Sequence, residues 1–305
     1  MPLRQQLIQS FYHKKASTDF WMQVAVYACM AAMFWPITVW LASSTEGQSR
    51  LLNALGVLIF ATALLLKFST TAVNSAFSLN NAASRTLYAT FILILLQIVG
   101  NYFTDYAAFS LLGIPAYACG IASLLLFVFG ESTKRIVITS TTTFGCFLLL
   151  STCMQTVDWP LRTIAGKLSE GALKIIGQST QLGILDTANA PDKLILFVNE
   201  RPFHVASECN GFGVILSCLL IACMLSIYHR ICPLHFALNL LLGVAIGFAL
   251  NTLRIVIIIL LAPVVMDHYD LMHEVIGTIT YWSALILSWI ALKGPTRLET
   301  TESIA

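Results

Sequence analysis

The chain has 305 residues, of which 57% are hydrophobic and only 10% charged, with a net charge of +2 and a mean hydropathy of +0.80. A soluble domain carries about 25% charged residues, so this composition excludes an ordinary soluble enzyme and reads as a multi-pass membrane protein. The net charge is too small to point to nucleic acid as a partner.

The N-terminal segment, residues 1–20, is basic through Arg4, Lys14 and Lys15 and precedes a long apolar run. That run exceeds the roughly 7–15 apolar residues of a cleaved signal peptide, so it reads as an uncleaved first span. Apolar runs then predict eight transmembrane helices, at 21–42, 51–68, 86–103, 107–129, 136–156, 209–228, 236–262 and 274–292. The expected fold is an all-α polytopic membrane protein. Lys14, Lys67, Arg85, Lys134, Arg230, Lys293 and Arg297 fall on one side of this pattern, and Arg50 dissents. By the positive-inside rule that side is cytoplasmic, with both termini and the tail 293–305 inside. The five helices of 21–156 carry no motif with an assignable role.

Residues 157–208 form the one long connection, on the extracytoplasmic side. Leu161, Ile164, Leu168, Ala172, Ile175 and Ile176 recur near helical spacing, with Arg162, Lys167, Glu170 and Lys174 between them. That pattern predicts an amphipathic helix on the outer membrane surface. Asp158 reads as a solvated boundary residue. Leu194, Leu196 and Val198 then alternate, as do Phe203 and Val205, with Asn199–Pro202 between. This reads as a β-hairpin leading straight into the sixth span.

The last three spans, 209–292, carry the chemistry. Arg254 sits inside the apolar run Leu240–Leu261, where a charge costs about 2.5–3.5 kcal/mol on insertion scales and marks a functional site with a partner. It lies about 12 Å below the outer end of the seventh span at 1.5 Å per residue. Cys209 opens the sixth span from outside and His273 opens the eighth. Topology therefore brings a thiol, a guanidinium and an imidazole to one leaflet. Asn239, Gly243, Gly247, Asn251 and Arg254 form one stripe of small and polar residues. His273, Gly277, Thr280, Ala284 and Ser288 form a second, and Cys209, Gly213 and Ser217 a third. Such stripes let helices pack closely in a membrane.

Each residue type suits a role. A helix N-terminus favours the Cys209 thiolate. His273 suits a general base and then an acid, with His204 and His268 as competitors for that place. Arg254 suits stabilisation of a thiolate or oxyanion. Asn251 would hold the guanidinium, Gly211 would permit close approach, and Glu208 reads as a helix-start charge. Helical side chains tilt toward the N-terminus, so Arg254 must bend back toward the outer opening and is expected to have a fixed partner. Cys29, Cys119, Cys146, Cys153, Cys218 and Cys223 lie in apolar runs and read as small buried hydrophobes. No zinc spacing is present, and neither metal nor cofactor is expected.

Glu208-Cys209-Asn210-Gly211, Asn251-Thr252-Leu253-Arg254-Ile255 and His273 with Gly277 resemble, in order, the three signatures of the exosortase/archaeosortase family. The resemblance covers mainly 160–292. It implies a membrane-embedded cysteine protease and transpeptidase acting on exported proteins that end in a short motif, an apolar helix and a basic tail. Cleavage would occur at the outer face of the cytoplasmic membrane, with an acceptor amine or lipid as a second partner. Cys209 matches the family's nucleophile, Arg254 its arginine and His273 its histidine. Asn210 departs from the pattern, where a small residue such as Ser is commoner. Two other readings compete: a non-proteolytic component of polysaccharide or lipid export, with Arg254 gripping an anionic group, and a structural membrane scaffold.

Overall fold

The computed structural model describes residues 3–46, 49–68, 76–103, 111–152, 154–187, 190–205, 211–265 and 268–294. The chain divides into two compact units, one up to Ser151 and one spanning Thr152–Gly294.

The first unit is helical. Its elements are α1 (Leu3–Lys14), α2 (Thr18–Met33), α3 (Trp35–Glu46), α4 (Ser49–Phe68), α5 (Asn81–Phe103), α6 (Gly113–Phe129), a 3-10 turn at Glu131–Thr133, and α7 (Lys134–Thr152). The run expected to form a single first span is α2 and α3, bent by 49°. Pro36 explains the break: without an N–H it cannot bond to the carbonyl four residues back, and its ring crowds that turn. Phe20, Tyr27, Met30 and Phe34 pack against Ala116 and Phe127 of α6. A buried hydroxyl chain ties three helices here. Ser123 Oγ donates to the Ala83 carbonyl at 2.8 Å, which leaves the Tyr27 hydroxyl, 2.9 Å away, to donate to Ser123.

The second unit holds everything that the sequence marks as chemical. It runs α8 (Met154–Ile175), β1 (Thr180–Thr187), β2 (Ala190–Val198), β3 (Arg201–His204), α9 (Phe212–His229), α10 (Pro233–Leu261) and α11 (Tyr269–Ala291). The expected hairpin is present as β2 and β3, but its turn is only Asn199–Glu200. Both residues have positive φ, 49° and 67°, as a two-residue hairpin turn of type I′ requires. Arg201 and Pro202 already belong to β3. The hairpin is also part of a three-stranded antiparallel sheet in the order β1-β2-β3.

Alternation along β2 buries Leu194, Leu196 and Val198. With Val205 they pack against Ala165 and Leu173 of α8 and against Ile255, Val256 and Ile259 of α10. The sheet is thereby pressed onto the same turns of α10 that carry Arg254. On α8 the buried positions are Ala165, Gly166, Ser169 and Leu173, whereas Ile164, Leu168 and Ile175 stay exposed. Asp158 pairs with Arg162 one turn on, and both side chains are largely covered. Asp158 is thus an intrahelical partner instead of a solvated boundary residue.

Five described helices are long and apolar enough to cross a membrane: α5, the stretch Glu131–Thr152, α9, α10 and α11. The bent α2–α3 pair makes a sixth if it counts as one span. The remaining two predicted runs form shorter apolar helical stretches, Leu51–Leu65 and Gly113–Phe129. Cys218 and Cys223 are buried as expected and Cys119 and Cys146 partly so. Cys29 is exposed on α2, and Cys153 lies outside the described residues.

The stripe on α10 meets α9. A Cβ on Gly243 would stand 3.0 Å from the Cys218 carbonyl oxygen, and one on Gly247 would stand 2.7 Å from Ile215 Cα. The neighbours are backbone atoms, so they cannot swing aside. Gly247→Ala should therefore force α9 and α10 apart at a cost of about 1–3 kcal/mol, read as a lowered unfolding midpoint in detergent. Gly171→Ala on α8, where nothing lies within 4 Å, should instead stabilise by up to about 1 kcal/mol.

Candidate active site

The arginine is held at the junction of α10 and α11. Arg254 Nη2 lies 3.3 Å from His273 Nε2. A guanidinium has only donors and no acceptor, so His273 Nε2 must be the acceptor and is unprotonated in this arrangement. The guanidinium lies over the backbone of Gly277, one turn beyond His273. A Cβ there would be 3.2 Å from Nη2 and 3.3 Å from both Cζ and Nε. Gly277 is the seat of the cation, a role that its spacing alone did not reveal. Arg254 Nε is buried and has no hydrogen-bond partner among the described residues. Its N–H is therefore an unspent donor among the described residues.

Asn251, one turn earlier on α10, is 1% exposed. Its side chain packs against Gly211, where an added Cβ would fall 2.6 Å from Asn251 Cγ. Gly211 has φ +72° and is the N-cap of α9. Two demands meet at this residue: a left-handed backbone and no side chain. The two supporting residues chosen from the sequence thus touch each other, and they fix the start of α9 against the turn before Arg254.

Cys209 and Glu208 lie outside the described residues. The helix begins at Phe212 after the Gly211 cap. In the sequence Cys209 stands two residues before that N-cap.

A cleft of about 50 Å³ adjoins His273. Phe203 and His204 from β3, Ile255 and Ile259 from α10, and Tyr269 and His273 from α11 line it. Both histidines flagged at the ends of the hairpin and of the eighth span thus face one opening. The Tyr269 ring lies 6.1 Å from that of His273, tilted by 31°. Tyr269 was not foreseen, although its position one turn before His273 was the available signal. His268 is the N-cap of α11 and does not line the cleft. No group of three or more His, Cys, Asp or Glu suited to a metal occurs among the described residues.

The other stripes close the arrangement. Asn239 donates to Ser226 Oγ at 3.1 Å, and the Ser217 and Tyr281 hydroxyls are 2.9 Å apart. Thr280, Ala284 and Ser288 are buried on α11. Three helices are thus cross-linked along their length around the arginine and histidine.

Residues 53–290 match the profile of a protein family described as transmembrane exosortase. The matched region is more than half of the chain. The chain belongs to the transmembrane exosortase family. No curated protein and no solved structure matches it.

A thiol–imidazole pair lies elsewhere in this exosortase. Cys232 Sγ lies 2.8 Å from His235 Nδ1, and both are exposed. Cys232 is the N-cap of α10, 22 residues before Arg254, or about 33 Å along the helix. It therefore cannot act at the arginine. The hydrogen bond from His235 holds the Cys232 thiol below its ordinary pKa. More thiolate is then present at neutral pH than on an unperturbed cysteine. Alkylation of Cys232 should reach half its plateau rate at lower pH than a model thiol, and His235→Ala should move that midpoint back up. Separately, Gly277→Val should displace the guanidinium and reduce activity by at least about tenfold, as lost orientation of a catalytic group does. Membrane-embedded protein levels would show whether folding is spared.

Proposed function

We propose that this exosortase is a cysteine endopeptidase and transpeptidase. Its substrates are exported proteins that end in a short motif, an apolar helix and a basic tail. The observation that carries the reading is the contact between Arg254 and His273 beside an open cleft, with Gly211, two residues after Cys209, packed one turn away on Asn251. The alternating basic loops support a reading in which this end of the helices faces outward from the cytoplasmic membrane, with both termini inside.

In this mechanism the Cys209 thiolate attacks the scissile carbonyl. The Arg254 guanidinium, whose Nε–H has no other described acceptor, donates to the developing oxyanion. Before that attack the guanidinium turns toward the bound carbonyl oxygen and releases His273 Nε2, whose lone pair takes the Cys209 thiol proton and so generates the attacking thiolate. Collapse of the tetrahedral species expels the C-terminal fragment as an amine, which receives that proton from His273. The acyl-thioester on Cys209 is resolved by water or by an acceptor amine, which supplies the new acyl bond while the thiol is restored. The substrate's apolar helix stays in the bilayer and delivers its outer end to the cleft.

Cys209→Ala should abolish processing of a tailed reporter. Arg254→Lys should lower it by about 10²–10³-fold, because an ammonium lacks the planar fork and a lost oxyanion donor costs that much. Tolerance of Cys209→Ala with loss at Arg254→Lys would favour anion handling in polysaccharide or lipid export. Tolerance of both, at normal protein levels, would favour a scaffold.

A further inference from the structure

Among the described residues, no strand pairs with the outer edge of β3, the strand that borders the cleft. β2 and β3 pair with Val198 opposite Arg201 and Ile195 opposite His204. The Val205 N–H donates to the Leu194 carbonyl at 2.9 Å. In an antiparallel ladder hydrogen-bonded and non-bonded pairs alternate. Residues 201, 203 and 205 therefore turn their backbone groups toward β2, and residues 202 and 204 turn theirs outward. β3 is the last strand of the sheet among the described residues. Pro202 has no N–H, which is why it is tolerated at an outward position. The edge thus offers the Pro202 carbonyl, the His204 carbonyl and a single donor, the His204 N–H.

We propose that the substrate's short motif binds as an added strand along this edge, with the His204 N–H donating to a substrate carbonyl. This rests on the proteolytic reading above and deepens it. The edge is continuous with the catalytic opening, because His204 lines the same cleft as His273. His204 also precedes Cys209 by five residues in the sequence. A chain leaving a membrane helix must be extended where its peptide bond is cut, and its freed backbone groups need partners at a site walled by apolar Phe203, Ile255 and Ile259. Strand addition to a sheet edge satisfies them without reading side chains. Pro202 interrupts the donor series, so only a short segment can be paired. A brief motif suits the edge and a long strand does not.

The test uses the full chain in membranes with a reporter fused to a tail that the intact enzyme cleaves. Cys209→Ala is the prior control: if it still cleaves, the proteolytic reading itself fails, whatever happens at β3. Given its loss, His204→Ala measures the side chain's share and His204→Pro removes the edge donor as well. The 204 N–H makes no bond to β2, so proline can occupy that position as it does 202. His204→Pro should fall about tenfold in kcat/KM below His204→Ala, the effect of one lost backbone hydrogen bond with its unpaired partner. Equal activities for the two variants would overturn the proposal and assign His204 a role through its imidazole alone. A change of oligomeric state in His204→Pro with unchanged kcat/KM would also overturn it, because a second copy would then occupy the edge. If His204→Pro does not accumulate, tail peptides are made with one backbone ester at a time, which weakens a single carbonyl acceptor. One sensitive position inside the motif supports strand addition, and none overturns it.

Discussion

A guanidinium placed in an apolar helix is the constraint on which the rest of the second unit depends. Arg254 cannot be surrounded by hydrocarbon without large cost, and its side chain leans back along α10 away from the nearer surface. The fold answers with proximity. Gly277 removes the side chain that would occupy the cation's place, and His273 supplies a neutral acceptor one turn before it. That geometry requires α11 to lie close against α10, and Asn251 against Gly211 brings α9 to the same turn. Gly243 and Gly247 hold that approach farther down the pair. Small residues, one cation and two polar contacts thus form a single arrangement. Losing any of them loosens the others.

The sheet belongs to the same arrangement. Its buried face packs on Ile255, Val256 and Ile259, the residues that flank Arg254 in sequence. One side of these turns of α10 supports the cation and another supports the strands. This is how a short sheet comes to border a site built from long apolar helices.

Much of this was legible in the sequence because period and burial coincide. The step of four, four, four and three from Asn239 to Arg254 is a helix face, whose first four residues meet α9 and its N-cap while Arg254 meets α11. Leu194, Leu196 and Val198 announced β2 through alternation. β1 was not legible: Gly183 and Thr180 dilute its pattern, and its pairing with β2 is a long-range choice that local spacing cannot express. The start of α9 was also misplaced. The apolar run suggests a helix from Cys209, whereas the left-handed Gly211 delays it to Phe212. The contact of Gly211 with Asn251 follows from that backbone conformation and has no counterpart in either motif read alone. Likewise Tyr269 and His204 join His273 at one opening only because α11 and β3 end at the same place on α10.

The uneven burial of the three helices bears on how a guest segment can arrive from the bilayer. In its most apolar window α9 is 78% buried within the protein, against 39% for α10 and 22% for α11. A helix so enclosed has little surface for passing chains and is gripped through main-chain contacts that do not compress. It serves as a fixed post against which α10 and α11 pack. The more open surfaces of the trio belong to α10 and α11, so the arginine and histidine ride on its two less enclosed helices.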